Sequence, residues 1–353
     1  MEWVVSLLKI AGGLWLLVWG AGRFVDGAAA VARLLGVPAL VVGIVIVGFG
    51  TSAPEIIVST LASLQGNLGL ALGNAYGSNI ANIAVILGVT AIVTPLTVQS
   101  RIVQREIPIL LAVTLLAIGL FLDGEFSRTD SVILLVAFAG LVLWMVREAL
   151  HCSDPSYTVD PIPAEHQFLK SVPEPAEAPR SRRKELVRLV VWIVVGLVLM
   201  IVGSQLLVDG AIEIAHRFGV SDLIIGLTIV ALGTSLPELA SSITAARRGE
   251  HDLVMGNLIG SNLFNTLAVV GVVGMIHPFP VEREFLYRDG AMTVGLTVVL
   301  FLVCYPFARF IRGSSQGLRH RLGTVHRVEG ILLLAVWIMY VGWLIHCSVN
   351  GSS

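Results

Sequence analysis

Charge is scarce in this sequence. Of 353 residues only 13% are charged, 23 Lys and Arg against 24 Asp and Glu, where a soluble domain carries about 25%. The near balance, a net charge of −1, leaves no basic footprint for nucleic acid. Cysteine is scarce as well. Cys152, Cys304 and Cys347 stand at no metal or redox spacing, which excludes a disulfide frame and a zinc centre. The eight His fall mostly in loops and at the ends of apolar runs, and none is given a role. Nothing implies a cofactor or a protein partner. Apolar residues supply 56% of the chain and the mean hydropathy is +0.87, so the first partner is the lipid bilayer.

Ten apolar runs lack Lys and Arg: 10–22, 37–64, 70–97, 106–122, 131–146, 189–208, 223–246, 253–276, 291–308 and 328–346. A crossing takes about 20 residues, so most of these are one span each. The runs 37–64 and 70–97 exceed a straight crossing and imply a tilt or a break. Residues 1–20 have neither a basic leader nor a small-residue cleavage site, and are read as the first span rather than a signal peptide. With ten spans and the N-terminus outside, 18 of the 23 basic residues fall on the inner side. Only Arg128, Arg217, Arg283 and Arg288 remain in outer loops, with Lys9 in the first span. The positive-inside rule therefore selects both termini outside, in the cytoplasmic (inner or plasma) membrane. Six of the 14 prolines lie between His151 and Glu185. That segment, 151–185, is expected to be a cytoplasmic, mostly disordered linker between two five-span units, 1–150 and 186–353.

The two units repeat each other at a fixed offset of 183. Asp26-Gly27-Ala28 returns as Asp209-Gly210-Ala211, and Gly50-Thr51-Ser52-Ala53-Pro54-Glu55 as Gly233-Thr234-Ser235-Leu236-Pro237-Glu238. Gly73-Asn74 returns as Gly256-Asn257, Gly77-Ser78-Asn79 as Gly260-Ser261-Asn262, and Asn82 as Asn265. Chance likeness between membrane helices would match Leu with Val. These matches are Gly, Pro, Ser, Thr, Asn and Glu, and they mark a duplication. An odd number of spans per unit inverts the second against the first. The expected fold is all-α and membrane-integral, ten transmembrane helices in two inverted-topology five-helix repeats, N-out and C-out. Its site would lie at the repeat interface near the midplane.

Ser52 with Glu55, and Ser235 with Glu238, have the spacing of a capping box, with Pro54 or Pro237 in the first turn. Inside a membrane run such a helix start is also a break, tolerated only where protein or water covers it. A carboxylate at mid-membrane costs about 2.5–3.5 kcal/mol. The runs that carry Glu55 and Glu238 offer no Lys or Arg to pair with them, so the two acids are either protonated or paired with a cation from solution, and two symmetric acids favour the cation. Asn74, Ser78 and Asn82 share one helix face at i, i+4 and i+8, as do Asn257, Ser261 and Asn265. The two carboxylates, the hydroxyls of Thr51, Ser52, Ser78, Thr234, Ser235 and Ser261, amide oxygens and freed carbonyls make a hard-oxygen donor set. It suits Ca2+ or Na+ and disfavours zinc and copper. Two carboxylates balance one Ca2+ or two Na+, so the ions would compete for the same oxygens, as antiport requires. An intramembrane protease on Ser78 or Ser261 would need a base that neither repeat core contains. The chain reads as a transporter, not an enzyme.

The paired Gly-Thr-Ser-x-Pro-Glu and Gly-Asn-x-x-Gly-Ser-Asn-x-x-Asn blocks resemble the two alpha repeats of the cation/calcium exchanger superfamily, specifically its compact prokaryotic sodium/calcium exchangers. The resemblance spans both units, whereas the linker and outer helices are similar in little beyond hydrophobicity. It implies ten helices, the second, third, seventh and eighth surrounding the ions and the first and sixth sliding across them. It also implies exchange of several Na+ for one Ca2+. Glu55 and Glu238 would be the main Ca2+ ligands, helped by Thr51 and Thr234. Ser52, Ser78, Ser235 and Ser261 would be Na+ ligands, with backbone carbonyls near Gly48 and Ala231 completing the sites. Asn82 and Asn265 would face the same ions, with Asn74, Asn257, Pro54 and Pro237 in support. Potassium-dependent relatives carry Asp at the position of Asn265, so the amides here imply potassium independence. The alternative on the same scaffold is calcium/proton antiport, in which H+ replaces Na+ at the two glutamates.

Overall fold

The computed structural model describes residues 2–151, 179–217, 231–305 and 323–350. These are helical almost throughout. The first part runs α1 (Glu2–Leu35), α2 (Ala39–Thr51), α3 (Ala53–Leu64), α4 (Leu68–Val93), α5 (Ile102–Leu120) and α6 (Arg128–His151). The second runs α7 (Pro179–Arg217), α8 (Ala231–Thr234), α9 (Leu236–Arg247), α10 (His251–Ile276), α11 (Arg283–Cys304) and α12 (Arg327–Asn350). Among the described residues eight helices are long and apolar enough to cross a membrane, and the α2–α3 pair, bent by 43°, makes up to nine. Leu8, Trp15, Val136, Leu143, Ile338 and Met339 are each more than 60% exposed, a surface that suits lipid and not water. The chain is an all-helical membrane protein. Of the expected run 223–246, residues 223–230 lie outside the described residues, as do 306–308 of the run 291–308.

Two helices outrun the apolar stretches expected for them by the most. α1 has 34 residues and α7 has 39, because Arg, Lys and Glu end an apolar run without ending a helix. The same cause moves the linker boundary. Helix already begins at Pro179, a residue suited to a first helical position, so 179–185 belongs to α7, while His151 closes α6. The remainder of the expected linker, 152–178, lies outside the described residues.

α1 and α7 run antiparallel, joined along glycines seven apart. A Cβ at Gly13 would stand 2.6 Å from the Gly203 carbonyl oxygen, and one at Gly20 2.8 Å from that of Gly196. The offset of 183 turns Gly13 into Gly196 and Gly20 into Gly203, so each helix presents the same face to the other. Backbones this close are what small residues permit in a membrane. α2 crosses α10 in the same manner, with Gly43 against Gly256 and Gly48 against Gly260. α4 and α10 are the most enclosed helices, their apolar windows 78% buried against 39% or less for the other candidate spans.

Short links between the units complete the frame. The strand Leu96–Val98 (β1), after α4, pairs antiparallel with Gly323–Val325 (β4), which leads into α12. Glu125–Phe126 (β2), which leads into α6, pairs with Phe279–Pro280 (β3), after α10. Each unit thus lends its middle strand to the last helix of the other. The α3–α4 and α9–α10 turns use Gly66 and Gly249 at φ 75° and 74°, a left-handed conformation that only glycine takes freely.

Candidate functional site

The site begins with a break in the α2–α3 span. Ser52 sits at φ −81°, ψ 11° and Ser235 at φ −89°, ψ 7°, between helical and extended backbone. Each is followed by a helix with Pro54 or Pro237 in its first turn. The expected break is therefore present, but the expected capping bond is not: neither serine caps its own helix. The Ser52 hydroxyl instead donates to Glu238 Oε1 at 3.0 Å, and the Ser235 hydroxyl donates to Glu55 Oε1 at 3.4 Å. The two motifs face each other, and each serine serves the other unit's carboxylate.

Glu55 and Glu238 are 1% and 2% exposed. Each occupies the third position of its helix, α3 or α9, where the helix dipole partly offsets its negative charge. No Lys or Arg among the described residues pairs with either, and Oε2 of each has no hydrogen-bond partner there. Ser78 adds its hydroxyl oxygen 3.4 Å from that of Ser235. Asn82 and Asn265, both buried, leave all four polar side-chain atoms unpartnered among the described residues. Buried polar atoms are paired in the great majority of cases, which makes these six symmetry-related atoms candidates for holding a ligand. Two carboxylates and neutral oxygen donors fit a hard cation. No group of three or more His, Cys, Asp and Glu forms a metal site among the described residues.

Other predicted residues hold the frame. Asn74 donates from Nδ2 to the Glu55 carbonyl at 3.2 Å and to Ser59 at 2.9 Å. Asn257 does the same for the Glu238 carbonyl at 3.1 Å and Ser242 at 2.8 Å. These bonds lash α4 to α3 and α10 to α9. The Thr51 hydroxyl lies 2.9 Å from the Val47 carbonyl oxygen and 3.1 Å from Asn257 Oδ1. The Gly48 carbonyl is not freed by the break. It accepts from Ser52 N–H at 3.2 Å and from the Ser261 hydroxyl at 3.1 Å, which fills both lone pairs. Thr234 is half-buried at the end of α8, and Ala231 opens that helix directly after 218–230, outside the described residues.

The sequence-matching profile described as sodium/calcium exchanger protein covers residues 5–147 and 188–346. The chain belongs to the sodium/calcium exchanger family. CaxA of Alkalimonas amylolytica, named as a candidate antiporter, is 40% identical over 96% of this chain and 98% of its own. The inner membrane protein YrbG of Escherichia coli is 36% identical over 94% and 95%. A solved sodium/calcium exchanger from Methanococcus jannaschii has a TM-score of 0.76 and 30% identity, over 97% of this chain and 99% of that one. Sodium-calcium exchanger crystals soaked with Na+ and Ca2+ or Sr2+ align at 0.75. The chain shares the fold of this exchanger family and is a cation exchanger, not an enzyme.

Sequence reasoning passed over several buried polar residues of the exchanger core. Ser59 and Ser242 receive the asparagine bonds, and their offset of 183, four residues beyond each glutamate, was the available signal. Asn79 donates to Thr266 across the units at 2.9 Å. Thr266 has no polar counterpart, since position 83 is Ile. Wide π turns at Asn82–Leu87 and Asn265–Val269 begin at the two orphaned asparagines, a placement often met at functional sites.

Proposed function

We propose that this protein is a sodium/calcium antiporter that alternates access around one midplane site in the inner membrane. The ions are bound by Glu55 and Glu238 with Thr51, Thr234, Ser52, Ser235, Ser78 and Ser261, and by the amides Asn82 and Asn265. The chain forms ten transmembrane helices in two inverted repeats, 1–150 and 186–353, with both termini outside and the joining segment in the cytoplasm. The observation that carries this reading is the reciprocal one: each unit's serine donates to the other unit's buried carboxylate, and each carboxylate keeps one oxygen unpartnered. The paired β-strand exchange and the matched glycine faces of α1 and α7 support a two-fold axis in the membrane plane.

Such a site binds either ion set but not both. Ca2+ leaves the two carboxylates neutralised, and Na+ ions replace it on the same oxygens. The experiment is Ca2+ uptake into proteoliposomes under an imposed Na+ gradient, with the pH gradient collapsed by an ionophore. Uptake should vanish when Na+ is removed. Uptake that ignores Na+ and follows only the pH gradient would assign calcium/proton exchange instead.

A further inference from the structure

In the orientation proposed above, the cytoplasmic ends of α1 and α7 carry a face that ion exchange does not use. α7 has 39 residues, about 58 Å at 1.5 Å per residue, against a hydrocarbon core of about 30 Å. Its first turns therefore stand among lipid headgroups. Toward that end Lys184, Arg188 and Trp192 recur at i, i+4 and i+8 along one side of α7, and on α1 Trp15, Trp19 and Arg23 lead toward it from mid-helix at the same spacing. The two sides meet. The Arg23 guanidinium carbon lies 5.1 Å from the Trp19 ring centroid and 4.7 Å from that of Trp192. Trp15 and Trp19 stack with centroids 6.0 Å apart. Arg23, Lys184, Arg188 and Trp15 are exposed. The nearest acid on α1, Asp26, is ion-paired with Arg248.

Aromatic rings at the apolar level, with cations directly beyond them, match an interfacial lipid whose head is negative. We propose that this face binds the phosphodiester head of an anionic phospholipid, its phosphate at Arg23 and Arg188 and its acyl chain along Trp19 and Trp15. A zwitterionic lipid carries its own ammonium toward the three cations and is disfavoured. Free phosphate could make the ionic contacts but gains nothing from the tryptophans.

The test is native mass spectrometry of the full chain, loaded from micelles holding equal phosphatidylglycerol and phosphatidylcholine. Its readout does not depend on which ions are exchanged, so it stands or falls apart from the antiport assignment. The wild type should retain phosphatidylglycerol preferentially. The Arg23→Gln/Arg188→Gln double variant should lose about ten- to thirtyfold of that preference, from two cations near the surface, while Arg23→Lys/Arg188→Lys keeps it. Equal retention of both lipids by the wild type, or an unchanged preference in the Gln variant, overturns the proposal. Displacement of the lipid by millimolar inorganic phosphate would assign a plain anion site and overturn it as well.

Discussion

At the scale of single residues, Glu55 and Glu238 were legible because a carboxylate in an apolar run without Lys or Arg stands out in any membrane sequence. What the hydroxyls do was not legible. The spacing Ser-x-x-Glu predicts a local cap, and the structure sends each serine across to the opposite carboxylate. Spacing reports neighbours along a helix and is blind to a partner 186 or 180 positions away. The glutamates set the sharpest expectation. Glu55→Gln or Glu238→Gln keeps the shape but removes a full charge, a change that costs about 2–5 kcal/mol for a buried charged contact. Ca2+ affinity should then fall at least about thirtyfold, while the detergent-purified variants remain monodisperse. Wild-type flux in both variants would contradict the site. Asn265→Asp should act oppositely, adding a third carboxylate beside two and raising competition from monovalent cations in the same flux assay. An unaltered ion profile would show that Asn265 faces away from the ions.

At the scale of elements, the existence and order of the described helices followed from hydropathy, and the broken α2–α3 span followed from Pro54 inside an apolar run. Helix length did not follow, since α1 and α7 continue through charged residues that merely end hydrophobic runs. Nor did the π turns, for which no residue type is diagnostic. The glycine spacing was readable: Gly13, Gly20 and Gly27 return as Gly196, Gly203 and Gly210. Its meaning needed the antiparallel contact. That contact separates two adjacent glycines cleanly. Gly13→Ala places a Cβ 2.6 Å from a backbone oxygen and 2.7 Å from a backbone nitrogen of α7, neither of which can yield alone. Overpacking of this kind costs about 1–3 kcal/mol. Gly12→Ala meets nothing within 4 Å and gains helix propensity. Thermal unfolding in detergent should show Gly13→Ala markedly less stable than wild type and Gly12→Ala equal or better. Equal loss in both would mean that helix propensity, not the α1–α7 contact, governs this stretch.

At the scale of the whole molecule, the offset of 183 announced two related units but could not say how deeply they interlock. Among the described residues neither unit closes on itself. The glycine face of α1 is covered by α7, Gly256 and Gly260 of α10 by α2, and both two-stranded ladders take one strand from each unit. A single unit would leave close-packed helix faces bare, unpaired strand edges, and a buried carboxylate without its donor serine. Covalent continuity between the units should matter far less, because the interlocking surfaces themselves supply the association. Cutting the chain within 152–178 and co-expressing the two pieces, one tagged, should therefore yield a copurifying pair that exchanges Ca2+. Either piece expressed alone should be degraded or aggregate. A lone piece that purifies monodisperse and helical would show that each unit folds independently, and the two halves of the site would then be joined by the connecting segment rather than by mutual packing.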